Sequence, residues 1–202
     1  MKKLSLIFLT FSLLSLFSCH ETVDVKPDEP TDPEKHLTIT LGGGCYWCVE
    51  AVFQQLEGVA SATSGFMGGH IPDPTYEDAK HSGHIEVVQV VFDPEKITTE
   101  EILEWFWKAH DPTDEKGQGV DEGDIYMSHI FVHSEEQRKI AEASKTEAQK
   151  GLLKPIVTKI REAEEFYPAK EEHQDYYFRM KGRNLYCPEQ ITPKLKKLGL
   201  DH

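Results

Sequence analysis

The sequence predicts an α+β domain: a two-layer sandwich in which a mixed sheet carries helices on one face. Its core is a ferredoxin-like β-α-β-β-α-β unit with a C-terminal extension. Three observations predict this. Alternating, β-branched runs and amphipathic helical runs follow one another in the order strand, helix, strand, strand, helix, strand. The middle two strand runs, 59–67 and 85–92, are separated by a stretch rich in Pro, Asp and Gly. A glycine turn, Gly42-Gly43-Gly44, joins the first strand run directly to the first helical run.

Each element has its own signal. His36–Leu41 alternates and is partly β-branched, as a strand does. Cys45–Leu56 is read as a helix because Val49, Val52, Phe53 and Leu56 share one helical face. Val59–Met67 and Ile85–Phe92 are strands. Val87, Val88, Val90 and Val91 give the second of these the apolar run of a strand covered on both faces, and Asp93-Pro94 stops it. Thr98 or Thr99 caps a helix through Ala109, with Glu100 and Glu101 in its favourable first turn. A long loop, residues 110–124, is of the length that usually carries function. Tyr126–Val132 is a strand, and Ser134-x-x-Gln137 opens a charged helix to Lys150 as a capping box. Pro155–Arg161 reads as a further strand and Glu171–Arg179 as a short helix. The tail from Gly182 is expected to be irregular.

The N-terminus lies outside this domain. Met1-Lys2-Lys3 is a basic start, Leu4 to Phe17 an apolar run too short for a comfortable membrane span, and Leu16-Phe17-Ser18-Cys19 closes it. This resembles a lipoprotein signal with Cys19 as the lipidated residue. Residues 1–19 are therefore expected to be a signal, with an exported protein held on a membrane at the periplasm or cell surface. Residues 20–36, with Pro27, Pro30 and Pro33 among six acidic residues, read as an extended tether. Residues 37–202 are the domain proper. The net charge of −13, from 22 basic and 35 acidic residues, excludes nucleic acid as a partner.

Cysteine usage points to chemistry. With Cys19 lipidated, Cys45, Cys48 and Cys187 remain, an odd number that does not make a purely structural disulfide framework. Cys45 follows the glycine turn at the start of a helix. The positive end of that helix is expected to lower its pKa and raise its thiolate fraction. Tyr46 and Trp47 follow at once, so a nucleophile and an apolar aromatic wall share one turn. Glu86 sits on an apolar strand, where desolvation raises a carboxyl pKa and keeps the proton on.

Several motifs, in order, carry a resemblance to the type A peptide methionine sulfoxide reductases. They are Gly43-Gly44-Cys45-Tyr46-Trp47, Gly65-Phe66-Met67-Gly68-Gly69, Pro74-Thr75-Tyr76-Glu77, and Gly83-His84-Ile85-Glu86-Val87-Val88. Then come Gln118-Gly119-Val120-Asp121-x-Gly123-x-x-Tyr126-x-Ser128 and Phe166-Tyr167-Pro168-Ala169 with His173-Gln174-x-Tyr176-Tyr177. The resemblance spans roughly residues 36–195. It implies thiol-dependent reduction of methionine S-sulfoxide, free or in proteins, with no metal or organic cofactor. Cys45 would attack the sulfoxide sulfur and become a sulfenic acid, and Glu86 would donate the proton. Tyr46 and Trp47 would hold the methyl group. Tyr76, Tyr126 and Asp121 would hydrogen-bond around the sulfoxide oxygen. Either Cys187 or Cys48 would resolve the sulfenic acid to a disulfide. Cys187 is preferred because its tail can swing, while Cys48 is one turn away in a Cys-x-x-Cys. The implied electron donor is a thioredoxin or thioredoxin-like domain, and a monomer is expected. His173 is expected to be structural.

The chain departs from the family pattern at Tyr46, where phenylalanine is commoner, and at Cys48, where glycine is commoner. The loop from Tyr76 to Glu86 is about two residues short. Val120 and Met127 stand where polar and basic residues are usual. Two rival readings remain at this stage. One is a thioredoxin-like dithiol oxidoreductase using Cys45-x-x-Cys48, for which no opposing cis-proline is identifiable. The other is a metal-binding lipoprotein, for which the partner Cys pair is missing.

Overall fold

The computed structural model describes residues 28–180 and 183–200. The expected signal and Cys19 lie outside the described residues. Among those described, no helix is long and apolar enough to cross a membrane.

Six strands form one mixed sheet. β1 (Leu37–Gly42), β2 (Val59–Met67) and β3 (Ile85–Phe92) match the sequence signals closely. The helices between them are α1 (Tyr46–Phe53), after β1, and α2 (Tyr76–Ala79), before β3. The helix after β3 is α3 (Thr99–Ala109). A small hairpin, β4 (Gly117–Gln118) with β5 (Asp121–Glu122), occupies the long loop. β6 (His129–Val132), α4 (Glu135–Gln149), β7 (Lys159–Glu162) and β8 (Tyr167–Pro168) follow. The sheet order is β7-β6-β1-β3-β2-β8. β6, β1, β3 and β2 are mutually antiparallel neighbours, which is the ferredoxin-like arrangement. β7 adds in parallel beyond β6 and makes the sheet mixed.

Strand alternation sorts the core. Val88, Val90 and Phe92 of β3 face the helices together with Phe53 and Phe106. Ile85 and Val87 face the other way, onto Met67 and Phe131, with Phe166 covering them. Glu86 therefore shares the helix-covered face with Val88. α3 is fixed at its start by Thr98, whose hydroxyl accepts from Glu101 N while the Glu101 carboxylate accepts from Thr98 N. At α4 only half of the expected box forms. Ser134 Oγ accepts from Gln137 N, but Gln137 Oε1 accepts from His133 N and its amide donates to Thr38 O. That side chain ties the helix to β1 instead of closing the cap.

The C-terminus differs from expectation. Glu171–His173 is one 3-10 turn and α5 (Tyr176–Met180) follows. The tail is not irregular: Cys187–Ile191 forms a π-helical turn running into α6 (Thr192–Leu198). Ile191, Leu195 and Cys187 are fully buried, so apolar packing, with Pro193 at the helix start, orders this segment. The end of the stretch read as a tether is fastened to the domain. Glu29 N donates to Ala60 O at 2.9 Å, and Lys35 pairs with Asp93 at 3.2 Å.

Candidate active site

The nucleophile turn follows from its glycines. Gly44 lies at φ +91, and a Cβ there would come within 2.5 Å of the Gln118 side chain. Only glycine combines that backbone with that approach. The turn leaves Cys45 as the N-cap of α1, its carbonyl accepting from Cys48 N at 3.0 Å. The first free helical donor, Tyr46 N–H, is taken by Glu86 Oε2 at 2.8 Å. One hydrogen bond thus places the buried carboxyl against the turn that carries the thiol. Burial pushes the Glu86 pKa up to about 8, so the group keeps its proton at neutrality.

Cys45 and Cys48 are both buried and free of disulfide. The expected lowering of the Cys45 pKa by the helix end is corrected. Burial pushes the Cys45 thiol up, and its hydrogen bond to Cys48 brings Cys48 down to about 7. The first proton therefore leaves the pair near neutrality, and the remaining one is held between the two sulfurs. Cys187 is wholly buried, with its backbone N–H on Asn184 Oδ1 at 3.1 Å. Burial, and after it the neighbouring Cys48, pushes the Cys187 thiol up. The picture of Cys187 on a swinging tail is corrected too, since the residue is packed in a helical turn.

The remaining expected residues converge on the thiols. Tyr76 and Tyr126 share a hydroxyl hydrogen bond of 2.7 Å, and burial beside Glu86 and Cys45 keeps both protonated. Asp121, at the start of β5, accepts from Tyr186 Oη at 3.0 Å. Tyr46 is buried, with its hydroxyl on His173 Nδ1 at 2.7 Å. The Trp47 indole N–H donates to His173 O at 3.0 Å, and its ring stacks on Tyr176 at 3.6 Å and 6°. His173 therefore fastens both Tyr46 and Trp47 by hydrogen bonds. A cleft of about 280 Å3 is lined by Tyr46, Phe66, Tyr76, Tyr167 and His173, and neither Cys45 nor Trp47 is among its lining residues.

A family model described as "Peptide methionine sulfoxide reductase" matches residues 37–201. The chain belongs to this family. A peptide methionine sulfoxide reductase MsrA of Saccharolobus solfataricus is 49% identical over 160 residues, 78% of this chain and 90% of that protein. The reduced form of Mxr1 from Saccharomyces cerevisiae superposes with a TM-score of 0.72 at 31% identity, covering 79% of this chain and 93% of that one. Mxr1 in complex with Trx2 gives a TM-score of 0.54 at 29% identity, over 73% and 88%. The fold and activity are thus those of a methionine sulfoxide reductase, and the dithiol-exchange alternative is not favoured.

Sequence reasoning missed one member of this reductase site. Tyr186, from the supposed irregular tail, puts its hydroxyl 3.9 Å from Cys48 Sγ and its ring edge-on to Trp47 at 5.7 Å. Its signal was its position directly before Cys187. Among the described residues no group of His, Cys, Asp and Glu is placed to hold a metal ion.

Proposed function

We propose that this chain reduces methionine S-sulfoxide with Cys45 as nucleophile, Glu86 as acid and Cys48 as first resolving thiol. The observation that carries this reading is the Glu86–Tyr46 hydrogen bond, which sets a protonated carboxyl beside a hydrogen-bonded thiol pair. Cys45 attacks the sulfoxide sulfur and passes its proton to Cys48. Glu86 protonates the oxygen as negative charge develops there. Tyr76, Tyr126 and Asp121 hydrogen-bond around that oxygen, and Tyr46 and Trp47 receive the methyl group. The oxygen passes to Cys45, giving methionine and a sulfenic acid. Cys48 attacks that sulfur, releasing water and forming the Cys45–Cys48 disulfide. Cys187, adjacent to Cys48, then attacks Cys48 and frees Cys45. The sum is one sulfoxide and two thiols converted to methionine, one disulfide and water.

A thioredoxin-like dithiol closes the cycle; the Mxr1–Trx2 complex of a structural relative supports that partner. The substrate is the sulfoxide free or within oxidised proteins, and the working unit is a monomer. Export and anchoring through Cys19 rest on the basic start, the apolar run and the cysteine that ends it.

The test is stoichiometric. The reduced chain is mixed with methionine S-sulfoxide without reductant, and methionine formed and thiols lost are counted. With one equivalent of sulfoxide, wild type is expected to lose two thiols per methionine, and Cys187→Ser the same. Cys48→Ser is expected to make methionine and hold a sulfenic acid. No methionine from wild type would sink the reading. Cys19→Ser is expected to move the protein from membrane to soluble fractions, and unchanged fractionation would refute the anchor.

A further inference from the structure

One buried carboxyl has no part in the chemistry above. Glu50 lies one turn beyond Tyr46 on α1 and is 1% exposed. Its Oε1 accepts from Ser64 Oγ of β2 at 2.9 Å. Its Oε2 accepts from Tyr176 N at 3.2 Å. Gln54, on the same side of α1, donates to Asp175 Oδ1 at 2.6 Å. Gln174 continues the fastening, its side chain taking Ser64 N and giving to Ser64 O, each at 2.9 Å. Asp175 itself sits at φ 52, the left-handed conformation that aspartate tolerates better than most non-glycine residues.

The segment so fastened supplies the aromatic wall. His173 holds both Tyr46 and Trp47, and Tyr176 stacks on Trp47. Nothing else on α1 binds the backbone between these two residues. Trp47 is thus oriented by a segment that Glu50 pins at Tyr176, three residues along α1 from Trp47 itself.

We infer that Glu50 is a positioning residue for the substrate methyl pocket: its two carboxyl oxygens strap the 173–176 segment to α1 and β2 and so set the Trp47 wall. This rests on the proposed reading of that wall as the methyl site. Glu50 touches neither substrate nor thiol, so its loss acts on binding and leaves the sulfur chemistry in place. The requirement is for two acceptors in fixed places, not for charge. A glutamine meets most of it: its amide oxygen can take Tyr176 N–H, and its amide nitrogen can give to Ser64 Oγ.

The experiment uses the full chain with a blocked methionine S-sulfoxide and dithiothreitol, comparing KM with the single-turnover rate at saturation. Glu50→Ala is expected to raise KM by on the order of tenfold while leaving the saturating single-turnover rate within about threefold. Glu50→Gln is expected to return KM to within about threefold of wild type. Far-UV circular dichroism and thermal unfolding report whether each variant folds. Ser64→Ala and Gln54→Ala, which remove one strap each, are expected to raise KM in the same direction and answer the question if Glu50→Ala fails to fold. A folded Glu50→Ala with unchanged KM, a saturating rate that falls by as much as KM rises, or a Gln variant as impaired as Ala overturns the inference. So does unchanged KM in both strap variants. Inactive wild type would instead refute the reductase reading, so the two failures are distinguishable.

Discussion

Replacing Glu86 by glutamine is expected to make the protein more stable and nearly inactive. The carboxyl is 1% exposed and receives one hydrogen bond, from Tyr46 N. Burial raises its pKa from an ordinary 4.5 to about 8. The unfolded chain loses this proton above 4.5, while the folded chain keeps it until about 8. The folded state therefore binds more protons across that window, and stability falls as pH rises through it. At pH 7 the gap above 4.5, at about 1.4 kcal/mol per pH unit, makes roughly 3 kcal/mol that glutamine does not forfeit. In a chain of this size that is roughly 6–12 °C in Tm. Glu50, with a pKa raised to about 7, titrates in the same window and cancels when variant and wild type are compared. Thermal unfolding of both from pH 4.5 to 8 should show curves that coincide at the acid end and diverge steadily toward the alkaline end. Methionine formation should fall by about 10²–10⁴ through loss of the proton donor. A stability difference that stays flat with pH, or a variant that retains its rate, would refute the buried-acid argument.

Three further outcomes follow from the geometry. Thiolate absorbance at 240 nm should rise in wild type near pH 7, where Cys48 is placed by its bond to Cys45. In Cys48→Ser it should rise only at clearly higher pH, because burial, the largest influence on Cys45, still holds its thiol up. Gly117→Ala should open the β4–β5 hairpin, since Gly117 sits at φ +142 and a Cβ would come within 2.2 Å of Asp121 O. The expected loss is about 1–3 kcal/mol in denaturant titration, with weaker substrate binding through the displaced Asp121. Thr98→Ala removes the hydroxyl arm of the α3 cap and leaves the backbone N–H that donates to Glu101, and should lower stability by about 1 kcal/mol with activity unchanged, measured by the same two assays.

The sheet was legible because its strands alternate cleanly and its turns are marked. β2, β3 and the cap at Thr98 lie where the residues put them. The short helix α2 escaped notice although Thr75-x-x-Asp78 forms a complete capping box, because four residues give no periodicity to read. The C-terminal helices were missed for a different reason. Ile191 and Leu195 are at helical spacing, but the short run is broken by Pro188 and Pro193, and only contact with α1 and α3 orders it. The site was legible wherever a motif carried it. Tyr186 and the acidity of the Cys45–Cys48 pair were not, because both depend on how far the C-terminal segment buries the thiols.

All three thiols are sealed from solvent, Cys45 at 6%, Cys48 at 4% and Cys187 at 0% exposure. Tyr186 Oη lies 3.9 Å from Cys48 Sγ, so the segment that carries Cys187 also helps to bury Cys48. The same seal faces the donor protein, which must reach a disulfide inside the fold. In the proposed cycle a donor meets the disulfide behind this packed segment, so loosening of the segment is the expected brake on recharging.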